Sequence, residues 1–287
     1  MQSEYVKGFL LTALGVLVLS FDALMIRLIN ARSFDILFWR GLFLALVTFL
    51  WCKYTLPRQS FVAFDRASIR SSVLFVASTT CFVCAVNLTS VANVLVIISA
   101  QPLFAAVMAR VFLKEKSPPV TWAAIVISMA GIFWVLSDSW HGPQLTGDTL
   151  ALLCGLSLSA KFVNDRAAGS RNMTPALILA GCIITILSSI VGHPFALQGN
   201  GWWWMLVYCI IIIPLAFILI TMGPMRISAA EVGMLMLLET AAGPLWIWVW
   251  LNEAPSKKAL EGGSLVIGTL LVHGFIKWRQ SRMKILH

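Results

Sequence analysis

Charge is scarce in this 287-residue chain: Asp, Glu, Lys and Arg together make up 11% of it, and only 12 residues are acidic. Soluble domains carry about 25% charged and about 45–50% apolar residues. Here 59% of the residues are hydrophobic and the mean hydropathy is +0.88. The chain is therefore expected to be an integral membrane protein, with lipid as its relevant solvent. Long polar stretches are missing as well. The longest connections between apolar runs, 55–67 and 138–146, leave no room for a soluble domain. There is no HExxH, no GxSxG and no cluster of carboxylates. The four histidines (His141, His193, His273 and His287) lie towards the ends of the apolar runs or outside them. An intramembrane hydrolase or transferase is thus disfavoured, and the chain is not expected to be an enzyme. No loop of selectivity-filter type interrupts a run, which disfavours a channel.

All six cysteines fall inside apolar runs. The spacing Cys81-Phe82-Val83-Cys84 has no second pair and no nearby histidine, so these residues read as small packing groups and not as a metal or redox site. The formal charge of +9 resides in short connections without interleaved aromatics, which is not the pattern of a nucleic-acid surface. The first apolar run follows Lys7, carries Asp22 and lacks a small-x-small cleavage site. It reads as a retained helix and not a signal peptide.

A spanning helix needs about 20 mostly apolar residues. Divided at glycines, prolines and charge clusters, the chain yields ten such runs: 8–29, 34–54, 68–87, 91–113, 118–137, 147–167, 174–194, 201–222, 228–251 and 257–277. They are continuous and do not alternate, so helices are expected and a barrel is not. Ten spans put both termini on one side. Of the 21 Lys and Arg residues, the side opposite the termini holds only Arg27, Arg32, Lys257 and Lys258, and Arg40 and Lys161 lie within spans. The positive-inside rule then makes both termini cytoplasmic. The runs Trp202-Trp203-Trp204 and Trp246/Trp248/Trp250 fall at the outer ends of the eighth and ninth helices, where aromatic belts anchor spans.

The two halves resemble each other. At an offset of 138, "TSVANVLVIISAQPLFAAVMARVFLKE" (Thr89 to Glu115) lies over "ISAAEVGMLMLLETAAGPLWIWVWLNE" (Ile227 to Glu253). At an offset of 139, "GFLLTALGVLVLSFDALMIR" (Gly8 to Arg27) lies over "GDTLALLCGLSLSAKFVNDR" (Gly147 to Arg166). The units are expected at 1–140 and 141–287. Five helices per unit is an odd number, so the second unit enters from the opposite side. Two inverted five-helix repeats around a central cavity are a recurrent plan of secondary transporters.

Ionisable groups within spans are functional candidates by default. Glu239 aligns with Gln101, and each lies about ten residues into its helix, near the bilayer midplane. Pro102 follows Gln101 directly and Pro244 follows Glu239 by five; a proline frees a carbonyl, which is tolerated where that group faces protein or a wet cavity. Glu239, Gln101 and Trp246 are the candidates for the central substrate and coupling site. Asp22, Arg40 and Asn93 are placed at an outer gate, with Asp22 and Arg40 as a pair. Lys161 and Glu231 are placed at an inner gate. Each assignment has a plainer reading: a structural ion pair for Asp22 and Arg40, snorkelling for Lys161 and Glu231, and a neutral Glu239 hydrogen-bonded to Gln101. Glu115 and Glu253 end their helices and read as interfacial.

The runs "SAQPLFAAVMARVFLKE" and "LLETAAGPLWIWVWLNE", with a midplane amide or acid, a proline and an aromatic-rich stretch ending in Glu, resemble the EamA-type branch of the drug/metabolite transporter superfamily. The segment "FWRGLF" (Phe38 to Phe43) is similar to that family's arginine-bearing second helix. The resemblance covers essentially the whole chain. It departs where Thr240 follows the acid in place of proline, and where "SFDALMIR" carries Asp22 in place of a tryptophan-glycine pair. It implies an inner (plasma) membrane carrier of the bacterial type that exports or exchanges small metabolites such as amino acids. Efflux of cationic compounds, or uptake, is the alternative. No cofactor is expected, and Glu239 suits proton coupling. The expected partners are a small-molecule substrate and the lipid bilayer, with the chain as a monomer or homodimer.

Overall fold

The structure is a computed structural model that describes residues 2–55, 65–114, 119–139, 144–169, 171–195, 201–223, 225–227, 232 and 235–285. The regular structure of the described residues is helical, with no strand among them. The elements are α1 (Gln2–Leu19), α2 (Asp22–Ile29), α3 (Ser33–Thr55), α4 (Arg66–Leu88), α5 (Val91–Ile98), α6 (Gln101–Phe112), α7 (Pro119–Ser139), α8 (Gln144–Ala167), α9 (Pro175–Val191), α10 (Gly201–Leu206), a π-helical turn (Val207–Ile212), α11 (Ile213–Thr221), α12 (Leu237–Leu251) and α13 (Lys257–Ile285). Among the described residues, five helical stretches are long and apolar enough to cross a membrane: Val6–Ile29, Ser33–Thr55, Arg66–Leu88, Val91–Phe112 and Gly201–Thr221. Trp122–Val135, Pro175–Val191 and Leu237–Leu251 are shorter apolar helices.

Local chemistry sets the ends. Asp65 caps α4 by accepting from the Ser68 amide at 3.0 Å, and that bond together with Arg171 holds its carboxyl below the usual carboxylate range. Ser90 caps α5 by accepting from the Asn93 amide at 3.2 Å. Asn30 and Asn252 close α2 and α12 in the left-handed region, at φ 49° and 54°.

Two of the spans are broken in the same way. Between α1 and α2 the Ser20 hydroxyl donates to the Leu17 carbonyl at 2.7 Å, and between α5 and α6 the Ser99 hydroxyl donates to the Val96 carbonyl at 2.6 Å. A serine that bonds back three residues competes with the helix ladder and bends it. At the second break Pro102 then sits in the first turn of α6, where no amide hydrogen is needed. A third irregularity has a different cause. Pro214, in the first turn of α11, cannot donate to the carbonyl four residues before it, and the preceding turn widens into the π-helical Val207–Ile212.

The bundle is knit by close pairs: α4 with α8, α3 with α9, α7 with α13, α1 with α11, and α5 with α12. Small residues permit this. A Cβ on Gly181 of α9 would lie 2.6 Å from the Gly41 carbonyl of α3, and one on Gly41 would lie 2.8 Å from the Gly181 carbonyl. Such backbone-to-backbone approach is the usual basis of helix association in lipid. Large apolar side chains such as Leu14, Phe133, Ile190 and Trp203 point outward, as they do when lipid is the solvent.

Candidate functional site: a polar cavity at the helix breaks

The two serine-bent breaks and the π-helical turn converge. Asp22 is the first residue of α2 and Gln101 the first of α6, each immediately beyond a break. Tyr208 lies in the π-helical turn. Arg40 comes from α3 and Glu239 from the first turn of α12. All five are at most 5% exposed.

Arg40 Nη1 donates to Asp22 Oδ1 at 2.8 Å and Nη2 donates to Oδ2 at 3.0 Å, a bidentate pair. The Tyr208 hydroxyl donates to Asp22 Oδ1 at 2.6 Å and accepts from Arg40 Nη1. The guanidinium lies 5.4 Å from the Tyr208 ring centre and 5.8 Å from that of Phe217. Asp22 and Arg40 therefore form the expected pair, but not as a separate outer gate. They line one small cavity with Gln101 and Glu239, walled by Phe75, Phe82 and Phe217. Ser78, Thr79 and Cys154 add small polar groups to the wall.

Glu239 has no cationic partner among the described residues. Both polar atoms of the Gln101 side chain also lack a hydrogen-bond partner, so the bond between Glu239 and Gln101 is not formed. The Gln101 backbone is anchored by the Ser159 hydroxyl, which donates to its carbonyl at 3.1 Å. Thr240 donates to the Leu95 carbonyl at 3.4 Å and so ties α12 to α5.

Two other candidates lie elsewhere. Trp246 stacks on Phe21 with ring centres 4.7 Å apart and donates from Nε1 to Ser20 Oγ at 3.1 Å. It braces the first helix break and does not line the cavity. Asn93 sits in the first turn of α5, where its amide is taken by the Ser90 cap, and it does not join Asp22 and Arg40. Neither residue lines the cavity that holds Asp22, Arg40, Gln101 and Glu239. Lys161 is buried and ion-paired to Asp165 Oδ2 at 2.6 Å, one turn along α8. Its expected partner at the inner gate, Glu231, lies outside the described residues, as does Glu115.

Sequence reading missed Tyr208, Asp165 and Ser78. Tyr208 is one of only three tyrosines and precedes Pro214 by six residues within an apolar run, a signal that was available. Asp165 stands four residues after Lys161, the spacing of a helical ion pair.

Among solved structures, one crystal structure of a protein superposes with a TM-score of 0.71 at 17% identity, covering 96% of this chain and 98% of that one. At that identity the likeness concerns the fold. No curated protein matches the chain. A sequence profile of the EamA-like transporter family matches twice, over residues 6–137 and 145–274. With nearly the whole length covered and a polar cavity buried among apolar helices, the chain belongs to the EamA-like transporter family, a group of membrane transporters within the drug/metabolite transporter superfamily.

Proposed function

We propose that this transporter carries small metabolites bearing an amino group, amino acids foremost, by alternating access through two inverted five-helix repeats, 1–140 and 141–287. The observation that carries the reading is the cavity in which Asp22, Arg40, Gln101 and Glu239 meet at the helix breaks. Glu239 suits a substrate's ammonium group. Arg40, if Asp22 yields, suits its carboxylate, and the phenylalanine walls suit an apolar side chain. Proton coupling through Glu239 and an inner (plasma) membrane location with cytoplasmic termini complete the proposal.

The repeat draws support from two sides. The same family profile matches each half. Helix pairing is also conserved when the halves are exchanged, so that α1–α2 becomes α8, α3 becomes α9, α4 becomes α10–α11, α5–α6 becomes α12 and α7 becomes α13. The contact of α4 with α8 then maps onto that of α11 with α1, α6 with α8 onto α12 with α1, and α4 with α9 onto α11 with α3. The pairs α3 with α9, α5 with α12 and α7 with α13 map onto themselves.

A second reading is favoured by the charge balance. Asp22 already neutralises both terminal nitrogens of Arg40, which leaves Glu239 as the one unpaired charge described in the cavity wall. A site of that kind suits an apolar cation as well as a zwitterion. Purified protein in liposomes separates the readings. Saturable flux that amino acids compete for supports the first; competition by cationic dyes alone supports the second; the absence of any saturable flux rejects both.

A further inference from the structure

Away from the central cavity, α12 and α13 leave an interval between them. Although consecutive in the chain, they are not among the closely packed pairs, and each packs on α5 instead. The result is a groove of about 510 Å³, a volume typical of ligand sites. Ala92 and Val96 of α5 form its floor, and its walls carry Ala241 and Leu245 of α12 and Leu260 and Ile267 of α13. Leu245, Trp248 and Leu260 along it are more than half exposed, so the groove opens sideways towards lipid. Exchange of the two halves sets this interval against the one between α7 and α5–α6, and there the helices do pack. An interval that one half closes and the other leaves open calls for an occupant.

The apolar groove has a polar end. A smaller pocket of about 30 Å³ shares Ala92, Pro244, Ala254 and Pro255 with it and adds Ser90 and Glu253. That is room for a group the size of a water or an ammonium. Ser90 Oγ accepts from the Asn93 amide and keeps its own hydrogen to donate. Glu253 is exposed, as is Lys257, the first residue of α13, and neither is ion-paired among the described residues. The lining runs from Thr240 to Trp248 on α12 and from Ala259 to Ile267 on α13. Each stretch is about 12 Å of helix, close to half of the ~30 Å hydrocarbon core. The groove therefore has the length of one leaflet, an apolar body, and both signs of charge at one end.

We propose that the groove seats one phospholipid with an amine headgroup, of the phosphatidylethanolamine type. One acyl chain lies between α12 and α13 over α5, the ammonium group enters the pocket at Glu253, and Ser90 and Lys257 serve the phosphate. Lipid tails are as apolar as the groove, so the groove alone does not select one lipid from the bilayer. The head makes the selection. A carboxylate repels a headgroup whose only charge is negative, and it takes charge-assisted hydrogen bonds from a primary ammonium that a quaternary one cannot give. The lipid acts as a wedge in place of the missing contact between α12 and α13. The site is separate from the cavity and does not depend on what the transporter carries.

The test uses the full chain, delipidated in detergent. Phosphatidylethanolamine, phosphatidylcholine and phosphatidylglycerol with identical acyl chains are added in turn, and melting temperature and native mass are measured. Phosphatidylethanolamine should raise the melting temperature by several degrees more than the other two, as a ligand of the folded state does, and should stay bound as a single molecule. Glu253→Gln, at an exposed position, should melt like the wild type without lipid and lose that preference. Ala241→Trp, which fills the groove, should no longer retain the lipid. Equal stabilisation by all three lipids, a preference that survives Glu253→Gln, or lipid retained by Ala241→Trp overturns the proposal. A lipid-free dimer in the native mass also overturns it, and would assign the face to a second copy of the chain.

Discussion

Tyr208 and Asp22, 186 residues apart in the chain, share a 2.6 Å hydrogen bond inside the bundle. The bond joins a widened π-helical turn to the first residue after a bent span. Removing the hydroxyl leaves the ion pair in place but takes one donor from a buried carboxylate. Hydrogen bonds to charged groups contribute about 1.5–3 kcal/mol. Tyr208→Phe should therefore lower the melting temperature of the detergent-solubilised protein and reduce flux without abolishing it. An unchanged melting curve would mean that the hydroxyl contributes nothing to holding Asp22.

The pair itself makes a sharper forecast. Removing one partner of a buried ion pair costs about 3–5 kcal/mol, because the other charge is left stranded. Asp22→Asn and Arg40→Gln should each destabilise severely, and the double variant should be milder than the sum of the two. A double variant whose loss of thermal stability equals that sum would show the two residues to be uncoupled, whatever their distance in the structure.

Packing gives a third test. Gly181 and Gly41 bring α9 and α3 into backbone contact beside Arg40, and a Cβ at either position meets a carbonyl of the other helix. Gly181→Leu should separate the helices and, through α3, displace Arg40 from Asp22. The expected result is protein that is inserted but aggregates on extraction, with a loss of a few kcal/mol typical of overpacking. Monodisperse protein with normal flux would contradict the tight approach.

Topology is tested at two exposed turns. Asn30 closes α2 and Ala167 ends α8, and both are exposed. In a cysteine-free background, Asn30→Cys should react with an impermeant thiol reagent from outside intact cells, and Ala167→Cys only after the membrane is opened. The reverse pattern would invert the assignment of the two mouths.

Much of the cavity was legible in the sequence because a charged or amide side chain in hydrocarbon is rare and needs a reason. Asp22, Arg40, Gln101 and Glu239 stand out on that ground alone, and they share one cavity. What the sequence hid was rotation and backbone irregularity. Depth is read by counting residues at about 1.5 Å each, but one residue of error turns a side chain by about 100°. Trp246 was expected among the central residues, yet its ring turns to Phe21 and Ser20. The breaks at Ser20 and Ser99 were hidden too, because a serine within a helix bends it only when its hydroxyl turns back on the ladder.

Glu239 offers the most direct test of function. Glu239→Gln keeps the size and most of the hydrogen-bonding capacity of the side chain but cannot ionise. The Gln101 side chain makes no hydrogen bond in the structure, so Glu239 is not engaged there as a packing bridge, and the amide should fold and melt like the wild type. If the carboxylate carries the exchangeable charge, flux should fall at least about tenfold, equivalent to about 1.4 kcal/mol of lost interaction, and the response to an imposed pH gradient should disappear. Flux that falls while its pH response survives would assign Glu239 to substrate binding and move the coupling proton elsewhere. Wild-type flux with wild-type pH dependence in Glu239→Gln liposomes would remove Glu239 from the mechanism and leave the cavity's function to Arg40 and its partners.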